Sequence, residues 1–302
     1  RYHDDWAQDD TTSAYGDIDA ALPSPGSDSD SPSPLVCREH RRIITTPLAK
    51  HLDSLENFNQ FIEVLGDVMF CHREFYDNCQ IFHRDISYNN IMVRWQDGAP
   101  KGMLVDLDHG ILRDAITMPG QPVRTGTLPF MSIGNLEGND TDRTALDDWE
   151  SLLYVLCWAG TYGFGRSTAN QSQQPPVPQS GLHRWLLGTM EKVAREKRAT
   201  MSNVDTFANI TDGFQNLPGV MLLQDLAVDL HAALFRHPVC PGAVLIRCPS
   251  RRRRNLTANS GEYYDPLKAR VEYEKEIVAN CHRVLQDACN ERVQHRAQRQ
   301  RT

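Results

Sequence analysis

The sequence IFHRDISYNNIMVRW, which begins at Ile81, places a His, an Arg and Asp85 in a row, and Asn90 follows five residues later. Ionisable side chains between apolar runs are costly to fold unless they have partners or a chemical task. Phosphoryl transfer needs a carboxylate that orients the attacking hydroxyl, and oxygen ligands that hold Mg²⁺ on the nucleotide phosphates. Asp85 is our candidate for the first task, and Asn90 and the later carboxylate Asp106 are our candidates for the second.

The elements around this stretch must hold these side chains in place. Upstream, apolar residues recur at helical spacing between residues 54 and 78, which predicts one long amphipathic helix with Asp53 and Glu56 as its capping signal. Downstream, two apolar segments flank the Asp-Gly dipeptide at 97–98, which predicts a β-hairpin. Asp85 would therefore lie in a loop between a helix and a hairpin, a setting in which catalytic residues often collect.

The predicted hairpin also brings the two candidate metal ligands together. Asn90 precedes its first strand and Asp106 follows its second, so a chain that folds back on itself can place them close in space. A shared metal ion requires this geometry.

Beyond the hairpin the sequence pattern is helical. Residues 147–159 are apolar on nearly every face, which is typical of a helix buried all round. Further helical patterns cover 222–235 and about 266–296. We therefore expect an α+β fold that is mostly α.

Four motifs, in this order, resemble those of the protein-kinase fold and, within it, of the fungal-type protein kinase family. They are HRD with its later Asn at 83–90, VDLD at 105–108, RTGTLPFMS at 124–132, and DDWESLLYVLCW at 147–158. One such motif is a weak indication, whereas four in matching order are specific. The resemblance implies a protein kinase-like C-terminal lobe, with the β-rich N-terminal lobe of that fold largely missing from this sequence.

The resemblance implies ATP- and Mg-dependent phosphoryl transfer to Ser/Thr hydroxyls of proteins, with a role for each residue of the first two motifs. Asp85 would be the catalytic carboxylate, and Asn90 and Asp106 would bind magnesium and, with it, the nucleotide. His83 would support the metal loop, and Arg84 would meet a phosphate or an acid on the activation segment.

The two later motifs imply structural and regulatory roles. Asp148 would brace the catalytic loop, and Thr127 would hydrogen-bond it. Thr125 and Thr117 are candidates for regulatory phosphorylation.

Three positions depart from the usual kinase pattern. Ser87 stands where serine/threonine kinases usually carry a lysine that touches the transferred phosphate. Asp108 replaces the glycine of D-F-G, although the fungal-type family itself favours Asp there. Gly134 replaces the glutamate of A-P-E, which forms a buried ion pair in kinases, so its loss predicts a less rigid substrate platform.

The sequence before Asp85 lacks the parts of a kinase small lobe. Lys50 is the only lysine there, 35 residues before Asp85, and the predicted helix takes 25 of those residues. We therefore do not assign Lys50 as the ATP-binding lysine, and we expect residues 1–302 alone to bind Mg-ATP weakly. The chain opens on Arg1 rather than Met, which favours its being a piece of a longer protein.

Three functions stay open at this point. The first is a serine/threonine protein kinase. The second is a pseudokinase that acts as a binding or scaffold module. The third is a phosphotransferase of the aminoglycoside or choline type, although such enzymes lack the segment from Thr125 to Phe130 that positions a peptide in kinases.

Composition divides the chain into three parts. Residues 1–36 are acidic and rich in Ser and Pro, which predicts disorder; residues 37–290 would form the kinase-like domain, and residues 291–302 a basic tail. A net charge of −7 predicts no nucleic-acid partner, and the sequence has no apolar run of the roughly 20 residues that cross a membrane. Eight scattered cysteines without a C-x-x-C pair indicate reduced thiols and an intracellular location, cytoplasm or nucleus. The pattern identifies neither a particular protein substrate nor an oligomeric state.

Overall fold

A computed structural model of the chain describes residues 46, 48–112, 125–138, 144–164, 181–235 and 266–299, with the side chains of the last segment described over 274–294. All of these residues fall in one compact unit, which begins at Thr45. The segment predicted to be disordered, residues 1–36, and the candidate phosphosite Thr117 lie outside the described residues.

The described residues are mostly helical, with two small antiparallel sheets, which confirms the predicted class of fold. The strands are β1 (Lys50–His51), β2 (Ile81–Phe82), β3 (Ile91–Gln96), β4 (Ala99–Leu104) and β5 (Ile111–Leu112). The helices are α1 (Phe58–Cys79), α2 (Ile133–Leu136), α3 (Ala145–Tyr162), α4 (Met190–Ser202), α5 (Val204–Asp212), α6 (Val220–Phe235) and α7 (Pro266–Arg299). None of the helices in these ranges is long and apolar enough to cross a membrane.

Helix α1 is the predicted long helix, but it begins four residues later than expected. Asn57 caps it, because its side-chain oxygen accepts a hydrogen bond from the backbone N–H of Gln60 at 3.0 Å. The assignment of Asp53 as the cap was wrong, since Asp53 lies in a short 3₁₀ turn and accepts a hydrogen bond from the Tyr88 hydroxyl at 2.9 Å. Leu55 is buried in an extended conformation, which delays the start of the helix.

Strands β3 and β4 form the predicted hairpin, with Ile91 opposite Leu104. Asp97 and Gly98 make its two-residue turn with φ of 50° and 77°. Positive φ at both positions matches the right-handed twist of the flanking strands. The hairpin packs along α1, and β1 extends the sheet on the side of β3.

The second sheet is a two-residue ladder between β2 and β5. Ile81 lies opposite Leu112, and Phe82 lies opposite Ile111. This ladder joins the start of the loop that carries Asp85 to the chain that follows the hairpin.

Helix α3 is the centre of the core, which confirms the helix predicted to be buried all round. Nearly every residue from Ala145 to Thr161 is buried, and the helix contacts α5, α6 and α7. A capping box formed by Thr144 and Asp147 starts it.

Helix α7 continues through residues 291–299, so most of the stretch that was set apart as a basic tail is helical. Arg292 pairs with Glu63 of α1, with 2.6 Å between the guanidinium nitrogen and the carboxylate oxygen. The C-terminal helix is therefore attached to α1 through that stretch.

Glu274 of α7 links helices α1 and α3 through hydrogen bonds. One of its carboxylate oxygens accepts hydrogen bonds from the Tyr76 hydroxyl at 3.1 Å and from the backbone N–H of Ala145, the first residue of α3, at 3.0 Å. The side chain is buried. We expect Glu274→Ala to lower the free energy of unfolding by about 1–3 kcal/mol, because it removes the acceptor that the Tyr76 hydroxyl and the Ala145 N–H share.

Urea unfolding of the wild-type protein and of Glu274→Ala measures this loss of unfolding free energy. The matched control is Lys275→Ala, which alters an exposed side chain on the same turn of α7 and should change the free energy of unfolding by less than about 0.5 kcal/mol. Equal losses in the two variants would show that Glu274 is no anchor.

Candidate active site

Asp148 of α3 anchors the loop that carries the HRD sequence. Its carboxylate accepts hydrogen bonds from the backbone N–H groups of His83 and Arg84, each at 3.0 Å, and from Nε2 of His72 at 2.9 Å. The side chain is buried, which by itself would raise the pKa of Asp148. The hydrogen bonds from His72 and from the backbone N–H of His83 outweigh burial and hold the pKa of Asp148 below its ordinary value.

His72 is a member of this anchor that the sequence reading did not identify. It lies on the buried face of α1, between Met69 and Tyr76, and is 1% exposed. One sequence feature could have identified His72: it interrupts the apolar stripe of a predicted helix. A buried polar side chain in such a stripe needs a hydrogen-bond partner. The partner is 76 residues away in the sequence, so the stripe alone does not reveal it.

His83 connects the loop to the segment after the hairpin. It is buried, and its Nε2 lies 3.1 Å from the carbonyl oxygen of Val105. Burial lowers the pKa of His83, although the neighbouring carboxylate of Asp148 opposes that shift. A neutral ring that donates from Nε2 to Val105 fits these surroundings, and it holds the residue just before Asp106.

Two residues of the site have left-handed backbone conformations. Arg84 has φ of 71° and Asp106 has φ of 68°. Such conformations cost of order 1–3 kcal/mol for most residues other than glycine, and they persist where the surrounding structure holds them, often at functional sites. Asp148 holds the backbone N–H of Arg84, and His83 holds the carbonyl of Val105, the residue before Asp106.

Asp85 is held from two sides. One carboxylate oxygen accepts hydrogen bonds from both the backbone N–H and the hydroxyl of Thr127, each at 2.9 Å. The other accepts a hydrogen bond from Nδ2 of Asn90 at 3.1 Å. The loop of Asp85 and the segment of Thr127, 42 residues apart in sequence, therefore meet at this carboxylate.

The hairpin places the backbone of Asn90 next to Val105, the residue just before Asp106. The backbone N–H of Val105 donates to the carbonyl of Asn90 at 3.0 Å, which puts Asp106 one residue beyond a direct contact. The amide nitrogen of Asn90 donates to two oxygens of Asp85, so its amide oxygen is the atom that can face a cation. Asp106 is exposed.

These two residues supply two hard oxygen donors, a set suited to Mg²⁺ that takes further ligands from water and phosphate. Across the ranges that the structure describes, no group of three or more His, Cys, Asp or Glu side chains could hold a metal ion. Asn90 and Asp106 would therefore hold a cation only together with ligands from another molecule or from water.

The segment after Thr127 is braced without the glutamate that Gly134 replaces. The backbone N–H of Ile133 donates to Glu150 of α3 at 2.7 Å, and the Tyr154 hydroxyl donates to the same carboxylate oxygen at 2.6 Å. The hydroxyl of Ser132 donates to Asp147. These contacts attach the start of α2 to α3, and the sequence reading assigned neither carboxylate to this task.

The two remaining site candidates have contacts with the nearby backbone. Nη1 of Arg84 lies 3.5 Å from the carbonyl oxygen of His109. The expected contact of Arg84 with a phosphate or an acid on the activation segment stays a prediction, because residues 113–124 lie outside the described residues. Thr125 is buried, and its carbonyl accepts a hydrogen bond from Asn135 at 2.8 Å. A regulatory role for Thr125 stays a prediction.

The helix–loop–hairpin site and the motifs that build it define a protein of the kinase class. A family model described as fungal protein kinase matches residues 5–159, just over half of the chain. The chain therefore belongs to the fungal protein kinase family, as the sequence motifs predict. No curated protein matches the chain.

Proposed function

We propose that the chain contributes the C-terminal lobe of a protein kinase that transfers phosphate from ATP to Ser/Thr hydroxyls of proteins. The observation that carries this proposal is the contact between Asp85 and Thr127. A carboxylate that two segments hold rigidly is suited to orient an attacking hydroxyl, and the segment that holds it lies where the resemblance expects a peptide.

The hydrogen bonds of Asp85 leave it able to act. A carboxylate has about four acceptor positions. Thr127 takes two on one oxygen, and Asn90 takes one on the other. The fourth position can accept the hydrogen bond of the substrate hydroxyl and take its proton as the hydroxyl oxygen bonds to the γ-phosphorus of ATP, while the bond from that phosphorus to the leaving ADP breaks.

Asn90 and Asp106 would hold Mg²⁺ against the phosphates of ATP. When bound, the metal neutralises phosphate charge and orients the transferred group. The chain's own part is positional: the hydrogen bonds at Asn90 and Val105 fix the two ligands before the nucleotide arrives.

The pseudokinase alternative has an observation in its favour. Lys50 is the only lysine before Asp85, and it lies exposed in β1, opposite Val93. The only G-x-G sequence, 163–165, follows α3. Residues 1–302 by themselves should therefore bind Mg-ATP weakly, and they would serve as a binding module wherever no other segment completes the nucleotide site.

The small-molecule alternative is weaker because the segment from Thr125 to Phe130 is present and bonded to Asp85. In a phosphotransferase for small alcohols no peptide platform is needed next to the carboxylate.

The test is a transfer assay with the full-length product of the gene that encodes residues 1–302, labelled ATP and Mg²⁺. Ser/Thr peptide pools, Tyr peptide pools, an aminoglycoside and choline are offered in parallel. We expect label in the Ser/Thr pools. Label in the small alcohols alone would establish the third function, and specific ATP binding or protein binding without transfer would favour the pseudokinase.

Asp106→Asn tests the metal assignment. Replacing an anionic ligand by a neutral one should raise the Mg²⁺ concentration for half-maximal rate by about tenfold, equivalent to ~1.4 kcal/mol of binding free energy. Titrating Mg²⁺ at saturating ATP measures this shift. Asp108→Asn, an exposed neighbour, is the control and should leave the Mg²⁺ requirement within about twofold. Equal shifts in both variants would exclude Asp106 as a specific ligand.

A further inference from the structure

Lys197 of α4 is a fully buried lysine outside the motifs. Its Nζ donates hydrogen bonds to the carbonyl oxygens of Pro129 and Met131, each at 2.7 Å. The same nitrogen lies 3.9 Å from the centre of the Tyr154 ring and 5.4 Å from the centre of the Trp185 ring. Burying an amine is costly unless its N–H groups donate hydrogen bonds. Both carbonyls that accept from Lys197 belong to one turn of the chain.

That turn is the one attached to the catalytic carboxylate. Leu128–Phe130 form a 3₁₀ turn in which the N–H groups of Phe130 and Met131 donate to the carbonyl of Thr127 at 2.8 and 3.1 Å. Thr127 in turn donates twice to Asp85. Lys197 therefore holds one end of a short chain of hydrogen bonds whose other end is Asp85.

We propose that Lys197 is a positioning residue for the proposed phosphoryl transfer, fixing the Leu128–Phe130 turn so that Thr127 stays bonded to Asp85. It acts through Thr127 and does not touch the reacting atoms. The expected effect of Lys197 on activity rests on the proposed function. The expected effect of Lys197 on the position of the turn does not.

Lys197 is buried next to Glu150, a second residue that holds the same segment. Burial lowers the pKa of Lys197 well below its ordinary value, and the charge of Glu150 opposes that shift. Glu150 already accepts hydrogen bonds from Ile133 and Tyr154, so it braces the next few residues of the same segment. Lys197 from α4 and Glu150 from α3 thus hold neighbouring parts of this segment.

The chain offers a matched control on the next residue. Arg198 also joins α4 to the segment near α2, through an exposed pair with Glu137 in which two guanidinium nitrogens contact the carboxylate. Arg198→Met removes a link between α4 and the end of α2 and leaves the carbonyls of Pro129 and Met131 untouched. Lys197→Met keeps the unbranched apolar part of the side chain and removes the nitrogen that donates to both carbonyls.

Hydrogen–deuterium exchange on the full chain reads the position of the turn directly. We expect Lys197→Met to raise exchange of the Thr127 and Met131 amides by about tenfold or more, with β3 and α3 unchanged, and Arg198→Met to leave all of them within about twofold. Unchanged protection in Lys197→Met, the same rise in Arg198→Met, or a rise spread over α3 would each overturn the proposal.

Lys197→Gln keeps a donor but is too short to reach both carbonyls, and it serves if the methionine variant does not fold. It should show an intermediate rise in exchange. Failure of both variants to fold would also overturn the proposal, because a residue that acts on one turn leaves the core at α3 in place.

Kinetics with the full-length product supply the second readout. Lys197→Met should raise the KM for peptide by about tenfold and leave the KM for Mg-ATP within about twofold, since the proposed function assigns the peptide to the segment of Thr127 and the nucleotide to Asn90 and Asp106. Equal changes in both KM values would contradict a positioning role. If the wild-type protein transfers no phosphate, the proposed function fails, and the exchange experiment still decides the role of Lys197 in the turn.

Discussion

Replacing Asp148 by alanine should lower the free energy of unfolding by about 3–5 kcal/mol, the range for removing one member of a buried charged network. Three donors lose their acceptor together: the backbone N–H groups of His83 and Arg84 and the ring of His72. Each buried donor left unpaired costs roughly 1–3 kcal/mol, and partial rehydration of the loop recovers some of that cost.

The pKa of Asp148 determines the pH at which its full contribution to stability can be measured. Because the pKa lies below its ordinary value of 3.8, the unfolded chain binds the proton first as the pH falls. The stabilisation is therefore fully present above the ordinary value and is lost as the pH falls through the lowered one. Urea unfolding at pH 7 measures all of it.

Asp229→Ala provides the reference for this experiment. Asp229 lies exposed on α6, so its removal tests the loss of a helical carboxylate without a buried network and should change the free energy of unfolding by less than about 0.5 kcal/mol. A loss below about 1 kcal/mol in Asp148→Ala would mean that water replaces the carboxylate at no great cost. The loop would then depend on the β2–β5 ladder for its position.

The elements around the site were predictable because their signals are local. The two-residue Asp97-Gly98 turn fixes the hairpin, and apolar residues on every face identify α3 as a buried helix. The start of α1 was not predictable in the same way. The capping signal at Asp53 points to an earlier start, and the buried, extended Leu55 moves the start to the cap at Asn57.

The residues of the site also differ in whether a local sequence signal predicts them. Asp85, Asn90 and Asp106 stand out by type and spacing, and the hairpin explains why Asn90 contacts the residue just before Asp106. Partners such as Lys197 carry no local signal, because their contacts join residues 66 and 68 positions apart. A buried polar side chain in an apolar stripe shows that a partner exists, and only the packed structure shows which one.

Asp85→Asn should abolish most of the phosphoryl transfer, by about 10²- to 10⁴-fold in kcat, the contribution typical of a positioned general base. The amide cannot take the proton of the substrate hydroxyl. Its oxygen can still accept the hydrogen bonds of Thr127, so the segment should stay in place while the chemistry stops. The rate of label transfer to a Ser/Thr peptide by the full-length protein, with the KM for Mg-ATP measured in parallel, tests this.

Two further substitutions separate loss of the base from loss of its position. Thr127→Val removes the hydroxyl donor to Asp85 and keeps the backbone N–H, so it should lower kcat by only about tenfold. Asp97→Asn makes the same chemical change at the exposed hairpin turn, where Asn tolerates positive φ, and should leave the rate unaltered. A variant at position 85 that keeps more than about a tenth of the wild-type kcat would remove Asp85 from the chemistry, since a missing base cannot cost so little. The same residual rate in Thr127→Val and Asp85→Asn would instead mean that the carboxylate serves to hold the peptide segment in place.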